Sequence, residues 1–127
     1  MNKTIVSTDR APAAIGPYSQ GVRVGNLYFF SGMIPIDPAT GVLVGADAPA
    51  QAAQVCRNIR ALLASQGLAP ENIVKTTVFL KDMNTFAQMN EVYATFFDKD
   101  AVPARSAVEV ARLPKDALVE IEAIAIL

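Results

Sequence analysis

Residues 47–67 read DAPAQAAQVCRNIRALLASQG and carry the clearest pattern in this 127-residue sequence. Apolar residues recur there at spacings of three and four, which is the repeat of one face of an α-helix. Asp47 can cap such a helix, Pro49 is tolerated in its first turn, and Gly67 can end it. The stretch therefore predicts an amphipathic helix whose buried stripe consists of Ala52, Val55, Ile59, Leu62 and Leu63.

The residues before this helix predict strands and an ordered loop. Residues 3–6, 21–24 and 27–34 are β-prone, and Gly25-Asn26 is a hairpin signal because both residues tolerate positive φ. Residues 11–21 hold two prolines and two glycines, which favours an ordered loop over a helix.

The residues after it predict a strand, a second helix and two further strands. Residues 73–82 are rich in Val, Thr and Ile, which favours a strand. A second helix is predicted to start at Asn84 or Thr85, with a buried stripe of Phe86, Met89, Tyr93, Phe96 and Phe97. Strands 105–113 and 117–127 follow, joined by a turn at 113–116.

This order of elements indicates one α+β domain that covers residues 1–127. Two amphipathic helices can cover only one face of a mixed sheet. The other face must then be open or covered by a partner. Hydrophobic residues make up 52% of the chain and charged residues 18%, so the sequence is richer in apolar residues than a typical soluble monomer. We interpret the surplus as surface for another subunit.

Alternation along the last two strands separates apolar from charged residues. It predicts a helix-covered face with Val108, Val110, Val119, Ile121 and Ala123, and an opposite face with Arg105, Ala107, Glu109, Glu120 and Glu122. A regular hairpin would place Glu120 opposite Glu109 and Arg105 opposite Ile124. Arg105 and Glu120 would then lie about 13 Å apart at Cα on one face, with room for a small carboxylate between them.

Composition excludes several classes of function. The chain has no His, no Trp and a single Cys, so it has no histidine base, no His-ligated zinc and no internal disulfide. A formal net charge of -1 does not favour nucleic acid as a partner. No apolar run approaches a membrane span, and the first residues lack the apolar core of a signal peptide. The expected compartment is the cytoplasm, and no metal is expected.

Two charged residues are candidates for chemistry. Arg105 could hold a carboxylate through two parallel hydrogen bonds, or it could simply pair with Glu109 or Glu122 on the surface. Glu120 stands among apolar residues, where it could act as a general base or orient a water molecule. It could equally be a solvated position on an open sheet face.

Three smaller features admit a functional and a structural interpretation. Tyr18 lies in the loop rich in Pro and Gly, where it is a candidate site residue or a packing anchor. Gly32 lies within an apolar strand, where it allows close approach of a ligand or marks a bulge. Cys56 lies off the apolar stripe of its helix and is expected to be an unreactive structural thiol.

Five stretches of the sequence resemble one protein family. They are APAAIGPYSQG at 11–21, SGMIP at 31–35, PARS at 103–106, and EVARLPKD with EIEAIA at 109–116 and 120–125. Together they resemble the RidA family of reactive-intermediate imine deaminases, and the match runs along nearly the whole chain.

The resemblance implies a chorismate-mutase-like α+β fold assembled as a homotrimer with three clefts between subunits. It implies hydrolysis of 2-imino acids, or their enamine tautomers, to 2-oxo acids and ammonia, without metal or cofactor. Arg105 would hold the substrate carboxylate and Glu120 would orient the attacking water. The cleft would be lined by Tyr18, Ser31, Gly32 and Asn90, with the backbone N–H of Ala107.

The sequence departs from the family pattern at two positions. Ala107 stands where many members have cysteine, and Met33 stands where glutamine is common. The first should preserve a backbone contact, and the second is expected to change the polarity of the cleft. A different class of function stays open: a non-catalytic trimer that binds 2-oxo acids as regulatory ligands, for which Arg105 alone would suffice. Nuclease activity or translation inhibition is not favoured, because base-stacking residues are missing.

Overall fold

The computed structural model describes residues 2–127. In these residues the chain forms β1 (Thr4–Val6), β2 (Gly21–Val24), β3 (Leu27–Met33), α1 (Ala48–Ser65), β4 (Ile73–Leu80), α2 (Phe86–Phe96), β5 (Ala104–Glu109) and β6 (Val119–Ile126). The predicted order of elements is confirmed. The fifth strand ends four residues earlier than predicted, because Val110 to Leu118 form the connection to β6.

Helix α1 is built as its sequence predicts. The Asp47 carboxylate accepts a hydrogen bond of 2.9 Å from the backbone N–H of Ala50 and so caps the helix. Gly67 follows the last turn with φ at +69°, a conformation that glycine adopts without strain. Every residue of the predicted apolar stripe is buried, and the stripes of α1 and α2 pack on the same face of the sheet.

The strands form one mixed sheet in the order β1-β2-β3-β6-β4-β5. All neighbouring pairs are antiparallel except β4 and β5, which are parallel. The two helices cover one face, as predicted, and the hydrophobic core lies between them and the sheet. The opposite face, here called the open face, carries exposed apolar residues that include Leu27, Phe29 and Val108.

The predicted hairpin between the last two strands is wrong, because β4 lies between β5 and β6. Strand β4, helix α2 and strand β5 form a crossover unit, which places β5 parallel to β4 on one edge. The other edge of β4 then pairs with β6. The connection at Val110 to Leu118 is long enough to pass across one strand, and a 3-10 turn at Pro114–Asp116 lies within it.

The predicted side-chain alternation is correct for β6 and wrong for β5. Val119, Ile121 and Ala123 are buried beneath the helices. In the observed register Arg105 pairs with Thr76, which is only 1% exposed under α2, so Arg105 lies on the helix-covered side. Ala107 and Glu109 share that side by alternation, whereas Val108 is 42% exposed on the open face. The prediction had assigned the apolar Val108 to the covered face, but the open face of this sheet also carries apolar residues, so alternation alone did not distinguish the two faces of β5.

Candidate functional site

A cleft of about 610 Å³ opens on the open face of the sheet. Three segments line it: the loop before β2, the end of β3 with the residues that follow, and the start of β6 with the turn before it. Its lining includes two carboxylates, two hydroxyl groups and an apolar wall. The residues that line it include Tyr18, Ser31, Gly32, Glu120 and Glu122.

Glu120 is the half-buried carboxylate of this cleft. It lies on β6 opposite Phe79 of β4, on the open face. The pKa of its carboxyl group is raised above the ordinary value, first because burial disfavours the charged form and second because the negative charge of Glu122 lies nearby. A carboxylate in such surroundings is a stronger base than one in water, so Glu120 is suited to accept a proton.

Gly32 makes room for the Glu120 side chain. Strand β3 carries a bulge between Phe30 and Met33, where its register with β6 shifts. A Cβ atom added to Gly32 would lie 2.8 Å from the Glu120 Cδ atom, which no unstrained structure tolerates. The bulge is one of the two interpretations of this glycine, and it is observed. Here the close approach is made by a carboxylate of the chain itself.

Replacing Gly32 with alanine is expected to displace the Glu120 carboxylate. The carboxylate is the far end of a flexible, half-buried side chain, so it can move aside at little cost to the free energy of folding. The pKa of Glu120 should move toward its ordinary value as the carboxylate is pushed toward solvent. NMR titration of the Glu120 carboxyl carbon measures that change.

Gly67→Ala is the matched control for this variant. Gly67 has φ at +69° and no atom within 4 Å of an added Cβ, so alanine strains the backbone without touching Glu120. We expect this control to lose stability and to keep the parental Glu120 titration. An unaltered Glu120 titration in Gly32→Ala would contradict the close contact.

Arg105 is held by α2 on the helix-covered side of β5. Its Nη1 donates a hydrogen bond of 2.5 Å to the Asn90 amide oxygen. Its guanidinium carbon lies 5.2 Å from the ring centre of Phe86 and 4.8 Å from that of Tyr93. The guanidinium is thus fixed by neutral partners.

Arg105 does not pair with Glu109 or Glu122. The one ion pair formed within residues 2–127 joins Arg112 to Asp116 at 2.7 Å, where it holds the turn before β6. Glu109 instead accepts a hydrogen bond from the backbone N–H of Met83. The interpretation of Arg105 as half of a surface ion pair is therefore wrong, and its positive charge remains available to an anionic ligand.

Arg105 and Glu120 do not face each other within one chain. They lie on opposite faces of the sheet, with β4 between their strands. The predicted arrangement, with both side chains about 13 Å apart on a common face, rested on the wrong hairpin. A small ligand in the cleft beside Glu120 cannot contact Arg105 of the same chain.

The other predicted site residues lie either in the cleft beside Glu120 or next to Arg105 on the helix-covered side. Tyr18, 52% exposed, lies in the cleft with Ser31 and Gly32. The Ser31 hydroxyl donates to the Ser19 carbonyl at 2.6 Å, which ties the loop before β2 to β3. Asn90 lies with Arg105. Met33 borders the cleft, but its side chain is buried in the hydrophobic core.

Ala107 lies on β5, at the edge of the sheet. Its side chain packs against the core, so its backbone is the group that can bind a ligand. The Val110 N–H donates to the Leu80 carbonyl across to β4. Backbone groups alternate in direction along a strand of a parallel pair, so those of Ala107 point to the free edge.

Sequence reasoning missed a buried side chain that shapes the cleft. The Gln20 side chain accepts a hydrogen bond of 2.7 Å from the Thr8 N–H and donates to the carbonyls of Thr8, Ala11 and Pro12. It fixes the loop that carries the cleft wall. Gln20 lies within the stretch at 11–21 that resembles the family, and this was the only indication of its importance. Its neighbours, a serine and a glycine, do not predict that its side chain is buried.

Cys56 is a buried free thiol on α1. Burial raises the pKa of the Cys56 thiol to about 12, which confirms the predicted unreactive thiol. Within residues 2–127, no group of three or more acidic or Cys side chains could hold a metal ion. No helix in that part of the chain is long and apolar enough to cross a membrane.

The chain is similar in sequence to known proteins. Residues 8–127 match the family model described as Endoribonuclease L-PSP. The chain is 56% identical over 128 residues to a protein of Escherichia coli named 2-iminobutanoate/2-iminopropanoate deaminase, covering 99% of this chain and 98% of that one.

Two solved structures share the fold. One is YyfA of Yersinia pestis, described as a Rid family protein, with a TM-score of 0.96 and 48% identity over 99% of this chain and 100% of that one. The other is Escherichia coli TdcF with bound serine, with a TM-score of 0.92 and 51% identity over 98% of each chain.

Proposed function

The chain belongs to the family described as Endoribonuclease L-PSP, and from that premise we propose that it hydrolyses 2-imino acids to 2-oxo acids and ammonia. The observation that carries the proposal is the 56% identity, over 99% of the chain, to a protein named 2-iminobutanoate/2-iminopropanoate deaminase. An arginine without a carboxylate partner and a carboxylate with a raised pKa are the groups that this reaction needs. The cytoplasm is the expected compartment.

The chain acts as a homotrimer, with each active site between two subunits. Arg105 and Glu120 lie on opposite faces of one sheet, so both can contact one small ligand only when they come from different chains. The open face carries exposed apolar side chains that a neighbouring subunit would cover. The family resemblance implies the same trimer.

In the proposed site, Arg105 of one subunit holds the substrate carboxylate. The guanidinium can form two parallel hydrogen bonds to it, and the backbone N–H of Ala107 at the free sheet edge supplies a further donor. This contact fixes the imine carbon, which is already electrophilic, beside the cleft of the neighbouring subunit. Positioning the two reactants supplies the proximity contribution to the rate.

Glu120 of the neighbouring subunit activates water. The water oxygen bonds to the imine carbon while Glu120 accepts a proton from it. Glu120 passes this proton to the nitrogen, which gives a tetrahedral intermediate with a hydroxyl and an NH2 group on the same carbon. The second water proton then moves from the hydroxyl group to the nitrogen, the carbon–oxygen double bond forms as the carbon–nitrogen bond breaks, and ammonia leaves with the 2-oxo acid as the other product. Every proton is supplied by water or by the substrate.

The deaminase proposal is tested with 2-iminobutanoate generated in situ. Imino acids also hydrolyse in water, so the assay adds semicarbazide, which traps the imine in competition with hydrolysis. The protein should reduce the trapped fraction from imine and increase the rate of ammonia release. Glu120→Gln protein at equal concentration serves as the control. Trapping and ammonia release equal to those in buffer alone would refute the proposal.

A mixing experiment tests the shared site. Arg105→Ala and Glu120→Gln chains are each expected to be inactive alone. Co-expressed in equal amounts, they should form mixed trimers in which about a quarter of the clefts combine an intact Arg105 with an intact Glu120. Light scattering of each sample should show a trimer, and turnover should recover to about that fraction of the parental rate.

The control for mixing is the double variant Arg105→Ala/Glu120→Gln co-expressed with Arg105→Ala. No cleft in that mixture has an intact Arg105, so activity should stay absent. A monomeric parent, or mixed trimers without recovered activity, would contradict a site built from two subunits.

The raised pKa of Glu120 sets the acid limit of the reaction, which is the pH below which kcat/KM falls. Glu120 must be ionised to accept a proton, so kcat/KM should fall as pH falls through its pKa, at a pH above that of an ordinary carboxyl group. Glu122→Gln removes the nearby negative charge and should move this limit to lower pH. Glu91→Gln, an exposed change on α2, should leave the pH profile as in the parent. A limit that stays in place in Glu122→Gln would exclude Glu120 as the titrating group.

A further inference from the structure

One face of α2 supports the Arg105 side chain. Phe86, Asn90 and Tyr93 stand four and three residues apart, so they share that face of the helix. Asn90 accepts the hydrogen bond from Arg105 Nη1, and the two rings lie within 5.2 Å and 4.8 Å of the guanidinium carbon. We call these three side chains the α2 cradle.

The strand beside Arg105 holds the cradle in place. The Tyr93 hydroxyl is hydrogen-bonded to Thr76 Oγ1 at 2.6 Å, in the buried core. Thr76 is also the residue directly opposite Arg105 in the β4–β5 pair. The arginine, its strand neighbour and the tyrosine ring therefore form a closed set of contacts, in which Tyr93 has little freedom to move.

The cradle holds the cation without neutralising it. An aromatic ring attracts a guanidinium through its quadrupole and uses none of its N–H donors. Asn90 is uncharged and occupies one N–H group. Burial raises the pKa of Tyr93, so its phenol stays neutral at physiological pH. The guanidinium keeps its full charge and most of its five donors for a ligand.

We propose that Phe86 and Tyr93 are positioning residues that hold the Arg105 guanidinium ready for the substrate carboxylate. This inference rests on the proposed function, in which Arg105 binds that carboxylate. A free arginine side chain loses rotamer entropy when it is fixed by a ligand, and this loss weakens binding. A guanidinium already fixed between two rings avoids that loss.

The test combines Arg105 mobility with carboxylate affinity in the trimeric protein. NMR relaxation of the Arg105 Nε–H bond should give an order parameter typical of a rigid group in the parent, and a lower one in Phe86→Leu and Tyr93→Leu. Calorimetry should show that the Kd of 2-oxobutanoate rises about 3- to 30-fold in these variants, since each loses one ring contact. KM should rise more than kcat falls.

Phe96→Leu is the matched control, because Phe96 is a buried ring on the same helix that stacks under a different arginine. The guanidinium carbon of Arg60, not Arg105, lies 4.9 Å from its ring centre. This control should lose folding stability and retain the parental order parameter and Kd. Tyr93→Phe keeps the ring and loses only the hydrogen bond to Thr76, so its Arg105 should be more rigid than that of Tyr93→Leu.

The possible results separate the two proposals. A rigid Arg105 in both leucine variants, or a rise in Kd in Phe96→Leu as large as in theirs, would overturn the positioning role. A parent that does not bind 2-oxobutanoate would overturn it as well. If the parent binds 2-oxobutanoate and the cradle variants behave as expected, but no imino acid is hydrolysed, only the deaminase proposal fails.

Discussion

Replacing Arg105 with alanine is expected to reduce kcat/KM by about 100-fold or more, since two charge-assisted hydrogen bonds to the substrate are lost and each contributes about 1.5–3 kcal/mol. The substrate carboxylate would also be left without a counter-charge in a partly desolvated site. Arg105→Lys keeps the charge but loses the planar pair of donors, so we expect a smaller loss of about 10- to 100-fold.

Both arginine variants should remain trimeric with thermal midpoints close to that of the parent. Arg105 forms no ion pair with its neighbours in residues 2–127, and its removal leaves no buried charge unpaired. Steady-state kinetics, light scattering and thermal denaturation measure the three quantities. Full activity of Arg105→Ala together with a much lower thermal midpoint would mean that Arg105 is a structural residue.

Glu120→Gln is expected to reduce kcat by about 100- to 10,000-fold, the range that a general base contributes. Glutamine has a similar shape but cannot take a proton from water. Binding of 2-oxobutanoate should remain, because Arg105 and Ala107 are untouched. Kinetics and calorimetry on one preparation give both values.

The glutamine variant should be at least as stable as the parent at neutral pH. The folded protein raises the pKa of Glu120, so folding disfavours the ionised carboxylate whenever the pH exceeds its unfolded pKa. Glutamine carries no charge and removes this cost, and the difference should vanish at pH values below the unfolded pKa. A lower thermal midpoint at neutral pH would contradict this account.

Variants of Arg105 and Glu120 also distinguish an enzyme from a protein that only binds 2-oxo acids. A regulatory protein for 2-oxo acids needs the carboxylate contact of Arg105 but has no use for a base. Such a protein would bind 2-oxobutanoate and would leave the hydrolysis of 2-iminobutanoate at its rate in buffer. Parental turnover in Glu120→Gln would remove this residue from the chemistry in either case.

Local patterns in the sequence were sufficient to predict the helices and the order of elements. The cap at Asp47, the stripe from Ala52 to Leu63 and the glycine at position 67 are short-range features, and each is formed in the structure as predicted. The hairpin at Gly25-Asn26 is equally local: Val24 pairs with Leu27 across it.

Strand neighbours were not predictable by the same reasoning. The turn at 113–116 indicated a hairpin between the last two strands. In the structure β5 pairs with one edge of β4, and β6 pairs with the other edge. Pairing between distant strands depends on the whole sheet. The face of Arg105 was predicted wrongly for a separate reason: Val108 was assigned to the core, whereas it lies exposed on the open face. The family resemblance proposed the site residues, and it carried no information on which face of the sheet each one occupies.

The position of β6 has a consequence for how the protein is made. It is the last strand of the sequence, and it alone joins β1, β2 and β3 to β4 and β5. A nascent chain can therefore form two partial sheets, but it cannot join them until β6 has been synthesised. Until then, the edges of β3 and β4 that later pair with β6 lack a partner strand, and such edges are the places where a sheet pairs with other chains.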